Sequence, residues 1–166
     1  MHRLYIIALS ALGAMAMLAA FLAPGSGEAQ PKPVAAAKPA EDPDGDALLL
    51  RRDGSGQFHL TAAVNGSDVQ FLVDTGADIV ALTEEEAQAL NLSVSADQFE
   101  PMMQTASGVG YGASVRLDEI EVAGVTLRDV DAVVVRGLTT NLLGQSVLRQ
   151  LGAVELKGDK MVIRPS

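Results

Sequence analysis

One segment, Phe71-Leu72-Val73-Asp74-Thr75-Gly76-Ala77-Asp78, reads as an apolar strand that ends abruptly in an Asp-Thr-Gly turn. Apolar residues in such a run are buried, so the carboxylate that follows sits where a strand leaves the core, on a turn that glycine allows to be tight. Any fold that accepts this segment must deliver Asp74 from the end of a strand. The triplet is short enough to arise by chance, so its surroundings carry the weight.

The 166 residues hold one folded domain of about 120 residues once a leading segment is set aside. Apolar residues make up 48% of the chain and aromatic ones only 4%, which describes a globular core of Ala, Val and Leu. Cysteine is absent, which removes both a disulfide framework and a thiolate metal site. His2 and His59 are the only histidines, so a zinc site or a Ser-His-Asp triad is poorly supplied; no metal or cofactor is expected. His59 falls in an expected strand and reads as an ordinary strand histidine. The net charge of −9 is scattered along the chain. Nucleic acid is not an expected partner, because phosphate binding needs a basic footprint.

Residues 4–23 carry no charge and follow His2 and Arg3. Signal-peptide apolar regions run about 7–15 residues and a spanning helix needs about 20, so residues 1–23 are expected to be a membrane anchor. Small residues at Gly27-Glu28-Ala29 keep cleavage after Ala29 open as the alternative. The basic leading flank places the domain outside the cytoplasm. Residues 24–46, with five prolines, read as an extended tether, and residues 47–166 as the folded domain.

Within that domain, runs at 57–64 and 69–73 flank Asn65-Gly66, a strong hairpin signal. A strand is expected at 79–82. Thr83-Glu84-Glu85-Glu86 then has the form of a capping box and starts a helix reaching about Leu90. Its acids suit a helix start better than a metal site. Further strands are expected at 103–105, 113–117, 120–122, 125–127 and 130–135. A second short helix follows at 146–151, and a closing hairpin pairs 153–156 with 161–164. Val64-Asn65-Gly66 and Val122-Ala123-Gly124 echo each other, each followed by a strand, a glycine turn and a helix. The expected class is a mostly-β, barrel-like domain with two short helices.

Asp74-Thr75-Gly76-Ala77-Asp78 with Ile79-Val80, and the later Asn141-Leu142-Leu143-Gly144 with Gln150-Leu151-Gly152, resemble the retropepsins, the single-lobe aspartic proteases. The chain is more similar still to the membrane-anchored bacterial retropepsin-like proteases, which share the leading apolar segment and a Thr-Ala-x-Gly flap, here Thr105-Ala106-Ser107-Gly108. The resemblance implies an acid-protease barrel with one lobe per chain and an aspartic endopeptidase acting on extended protein segments. It implies a bacterial inner-membrane protein whose catalytic domain lies in the periplasm, or a secreted periplasmic one if the leading segment is cleaved. Asp74 would be the catalytic carboxylate, and Gly76 would allow the tight turn. Thr75 would hydrogen-bond across a dimer. Ala77, Asp78, Thr105, Ala106, Ser107 and Gly108 would contact substrate.

Elementary chemistry agrees with the resemblance. Hydrolysing a peptide by acid–base catalysis takes one carboxyl to accept a proton from water and another to donate one. Two carboxyls about 3 Å apart cannot both ionise, so they share a proton. A single Asp-Thr-Gly in the chain implies that the second carboxyl comes from another copy, in a symmetric homodimer. One position departs from the family. Retroviral members carry Arg where this chain has Gln145, so the ion pair that braces the retroviral turn to its second Asp cannot form. Two alternatives remain: a non-catalytic dimeric peptide-binding module on the same barrel, and an inert, membrane-linked monomeric scaffold.

Overall fold

The computed structural model describes residues 40–41, 47–105 and 108–165. The expected anchor over 1–23, the tether over 24–46 apart from residues 40–41, and Ala106 and Ser107 lie outside the described residues. Among the described residues no helix is long and apolar enough to cross a membrane.

The strands are β1 (Ala40–Glu41), β2 (Leu48–Arg51), β3 (His59–Val64), β4 (Ser67–Val73), β5 (Val80–Leu82), β6 (Glu100–Thr105), β7 (Gly108–Val122), β8 (Val125–Val135), β9 (Leu142–Leu143), β10 (Ala153–Lys157) and β11 (Lys160–Arg164). Two short helices, α1 (Glu84–Ala89) and α2 (Gln145–Leu148), interrupt them. Seven strands form one sheet in the order β3-β4-β9-β5-β8-β7-β6, and β3 also pairs with β7, so the sheet curls back on itself. Phe71, Leu82, Leu117, Ile120 and Leu143 fill its interior with essentially no exposure. The domain is thus a mostly-β barrel with two short helices, as its turn spacing and strand patterning predict.

Local signals account for the hairpins and the first helix. Asn65 and Gly66 have φ of 48° and 82°, the mirror-image turn that joins β3 to β4. Ala123 and Gly124 repeat it between β7 and β8 with φ of 52° and 76°, so the echo in sequence is an echo in geometry. Thr83 Oγ1 accepts from the Glu86 amide and caps α1. The second half of the expected capping box is missing. Instead of turning back to Thr83, the Glu86 carboxylate accepts from Asn141 Nδ2, and Asn141 Oδ1 accepts the Thr83 amide at 2.9 Å.

Four expectations need correction. The separate runs at 113–117 and 120–122 belong to one fifteen-residue strand, β7, and those at 125–127 and 130–135 to one eleven-residue strand, β8. Polar pairs such as Glu119 opposite Arg128 continue the ladder on the solvent side, where charge does not break a strand. The second helix is shorter than the expected 146–151. Residues 48–51, for which the sequence pattern predicts no element, form β2. It pairs with β11, setting Leu50 opposite Met161 in a separate sheet of order β1-β2-β11-β10. Both edges of β11 are therefore occupied from within the chain, so a second copy cannot add a strand beside it.

Asn141 is the buried polar residue among the described residues, 7% exposed, and its Nδ2 also donates to the Gln70 carbonyl at 3.2 Å. It ties α1, β4 and the entry to β9 together with every bond satisfied. Replacing it with leucine strands these partners, and Asn141→Leu is expected to lower stability by about 3 kcal/mol, read from urea unfolding. A loss under half a kilocalorie would show that the network is dispensable.

Candidate active site

Asp74 is positioned by a pairing far apart in sequence. β4 runs parallel to β9, with Leu72 beside Leu142 and Val73 beside Leu143, and the Asp74 amide extends the ladder by donating to the Leu143 carbonyl at 3.1 Å. The chain then turns sharply. The Gly76 amide donates to Asp74 Oδ1 at 2.8 Å and the Ala77 amide to the Asp74 carbonyl at 3.2 Å, so the carboxylate is oriented by its own turn. A β-carbon on Gly76 would lie 3.2 Å from Asp74 Oδ1, close enough to crowd the carboxylate.

The far side of the turn rests on the start of α2. The Gln145 amide donates to the Ala77 carbonyl, the Ser146 amide to the Asp78 carbonyl, and Gln145 Nε2 to the Thr75 carbonyl, each at 2.8 Å. Gly144 makes this approach possible. A methyl group there would overlap the Ile79 carbonyl and lie 2.8 Å from that of Ala77.

A cavity of about 170 Å³ opens beside Asp74. Asp74 and Asp78 border it, and Ala77, Ile79, Ala81, Met102, Val133, Val135, Leu138 and Leu142 make the rest of its wall apolar. Met102 and Val133 meet over Gly112, where a β-carbon would come within 2.7 Å of both. Among the described residues Asp78 joins none of the ion pairs, so its carboxylate stands unneutralised at the rim.

The structure thus brings Asp74, Ala77 and Asp78 to one cavity. Thr75 and Gly76 are exposed on the adjoining turn, and neither lines the cavity. Thr105 and Gly108 face each other at the end of the β6–β7 hairpin, the expected flap, with Ala106 and Ser107 outside the described residues. The apolar wall was not singled out in the sequence: Val133 and Val135 alternate within a long strand, but which face meets Asp74 depends on β8 lying beside β5. His59 is occupied elsewhere. Its Nε2 lies 3.1 Å from the Asp53 carboxylate in the turn between β2 and β3. The Ser55 hydroxyl, then the Gln57 amide, with a smaller contribution from His59, hold the Asp53 pKa down to about 2.

A curled single-lobe barrel that presents an Asp-Thr-Gly turn beside an apolar cleft defines the retropepsin-like aspartic proteases. Residues 60–150 match the family described as "gag-polyprotein putative aspartyl protease", and the chain belongs to that family. A Rickettsia conorii retropepsin-like aspartic protease superposes with a TM-score of 0.62 at 28% identity, covering 70% of this chain and 89% of that one. The protease of EIAV, solved with the inhibitor HBY-793, shares the fold, with a TM-score of 0.50 at 22% identity over 60% of this chain and 91% of that one. In sequence the chain is 36% identical over 119 residues to "Uncharacterized protein in cobV 5'region" of Sinorhizobium sp, and 31% identical over 117 residues to "Uncharacterized protein RP867" of Rickettsia prowazekii (strain Madrid E). Each match covers 70% of this chain and about half of the relative, so the chain spans about half the length of these curated relatives.

Because backbone, not a flexible side chain, faces Gly144, Gly144→Ala is expected to displace residues 77–79 and cost about 1–3 kcal/mol. Unfolding midpoints together with amide shifts at 76–79 check it. Unchanged shifts at those positions would overturn the close-approach account.

Proposed function

We propose that the chain is an aspartic endopeptidase that hydrolyses peptide bonds in extended protein segments, with Asp74 as one half of a dyad completed by a second copy. The observation that carries this reading is the placement of Asp74: fixed by Leu143 and Gly76, at the mouth of a cavity whose remaining wall is largely apolar. Such a cavity takes an apolar substrate side chain, while Asp78 at its rim accepts from backbone amides of a strand-like peptide. With the partner's carboxyl about 3 Å away, one of the pair is protonated and the other ionised. The ionised one takes a proton from water as the oxygen attacks the carbonyl carbon. The protonated one gives its proton to the carbonyl oxygen, and the tetrahedral species collapses as a proton passes to the leaving amine. The β6–β7 hairpin carries Met102 against the cavity and serves as the flap, excluding water as substrate binds. Thr75, exposed beside the turn, is the residue that meets its counterpart in the second copy. The uncharged run at 4–23 supports a membrane-anchored protein with this domain on the periplasmic side.

Incubating the protein with denatured polypeptides and reading the cuts by mass spectrometry tests the activity. Asp74→Asn is expected to reduce cleavage at least about 100-fold while leaving the melting temperature nearly unchanged. Undiminished cleavage by that variant would remove Asp74 from the chemistry; peptide binding without cleavage by the unmutated protein would favour the binding-module reading.

A further inference from the structure

The turn that carries Asp74 is held at both ends by one short stretch, residues 143–146. Leu143 accepts the Asp74 amide, and the backbone amides of Gln145 and Ser146 reach the Ala77 and Asp78 carbonyls. Only one bond in this set comes from a side chain: Gln145 Nε2 to the Thr75 carbonyl at 2.8 Å. Gln145 is itself fixed at its backbone, because its carbonyl accepts from the Arg149 amide at 3.1 Å and from Arg149 Nε at 3.2 Å. The Thr75 carbonyl belongs to the peptide unit whose nitrogen is that of Gly76, and the Gly76 amide is the donor to Asp74 Oδ1. Holding that carbonyl therefore fixes the plane of the peptide that orients the candidate carboxylate.

We propose that Gln145 is a positioning residue, in which a neutral amide takes the bracing task that a charged side chain would perform by pairing with Asp78. The inference rests on the aspartic-protease reading of Asp74. A cation at this position would be drawn to the nearby carboxylates and would neutralise the rim. The neutral donor locks the Thr75–Gly76 peptide and leaves the Asp78 carboxylate uncommitted beside the cavity. Because the bond is partly exposed, it contributes to the placement of Asp74 far more than to the stability of the fold.

Two isosteric variants separate donor chemistry from shape. In Gln145→Glu the carboxyl donates to the Thr75 carbonyl only while protonated; Gln145→Met fills the space with no donor at any pH. Both are expected to melt within about 5 °C of the unmutated protein. Relative to the unmutated protein at each pH, Gln145→Met is expected to lose about 10-fold in kcat throughout with KM little changed. Gln145→Glu is expected to match the unmutated protein at acid pH and to lose about 10-fold as its carboxyl ionises. The carboxyl introduced by Gln145→Glu, followed by carbon-13 NMR, is expected to titrate about one unit above the ordinary value of about 4.3, because its neutral form is the one that bonds. A constant Gln145→Glu to unmutated ratio across pH, or an unaltered kcat in Gln145→Met, overturns the proposal. If the unmutated protein cleaves nothing, the aspartic-protease reading fails while the NMR titration still reports whether the Thr75 bond forms. An unshifted carboxyl pKa then overturns the brace itself.

Discussion

The site depends on the parallel pairing of β4 with β9, two residues on each side. Leu72 and Val73 lie along Leu142 and Leu143, and the next rung is the Asp74 amide on the Leu143 carbonyl. Parallel neighbours cannot be joined by a tight turn, so the chain between them is long, and here it contains most of the barrel. Closing the barrel is therefore the same event as building the turn. A chain that buries Phe71 and Leu143 in the core has already set Asp74 at the rim.

Two kinds of contact convert this pairing into a rigid site. At one end the buried Asn141 spends its amide on the Thr83 and Gln70 backbone and on Glu86, so β9 cannot slide without orphaning polar groups. At the other, Gly144 lets backbone touch backbone, and the start of α2 donates three hydrogen bonds into the turn. The bonds at this second end come from neutral groups alone. The charges near the cavity, Asp74 and Asp78, are left to interact with whatever enters it.

What was legible in the sequence was local. Asn65-Gly66 specifies its turn through left-handed backbone, Thr83 announces a helix start through its hydroxyl, and an apolar strand running into Asp-Thr-Gly announces the candidate carboxylate. The illegible parts depend on partners distant in the chain. β9 is too short to show a period, and β2 is a strand because β11 lies beside it. Asp118-Glu119 resembled a break because two adjacent charged residues interrupt the apolar alternation, yet β7 runs on through them and Glu119 pairs with Arg128. Likewise, Gln145 could be seen to lack the charge of a retroviral Arg. That its amide reaches the Thr75 carbonyl instead is a matter of three-dimensional distance.

In the proposed mechanism a barrel with one Asp-Thr-Gly turn supplies half of an acid–base pair, so the number of chains per active site is the central quantity to measure. It is read by mixing unmutated chains with Asp74→Asn chains in varied proportion, co-refolding them at one fixed total concentration well above that of dimer formation, and measuring peptide cleavage. A dyad drawn from two copies predicts that activity falls with the square of the unmutated fraction, to about one quarter at equal proportions. A linear fall, to about one half, would mean that each chain carries a complete site and would contradict the shared dyad.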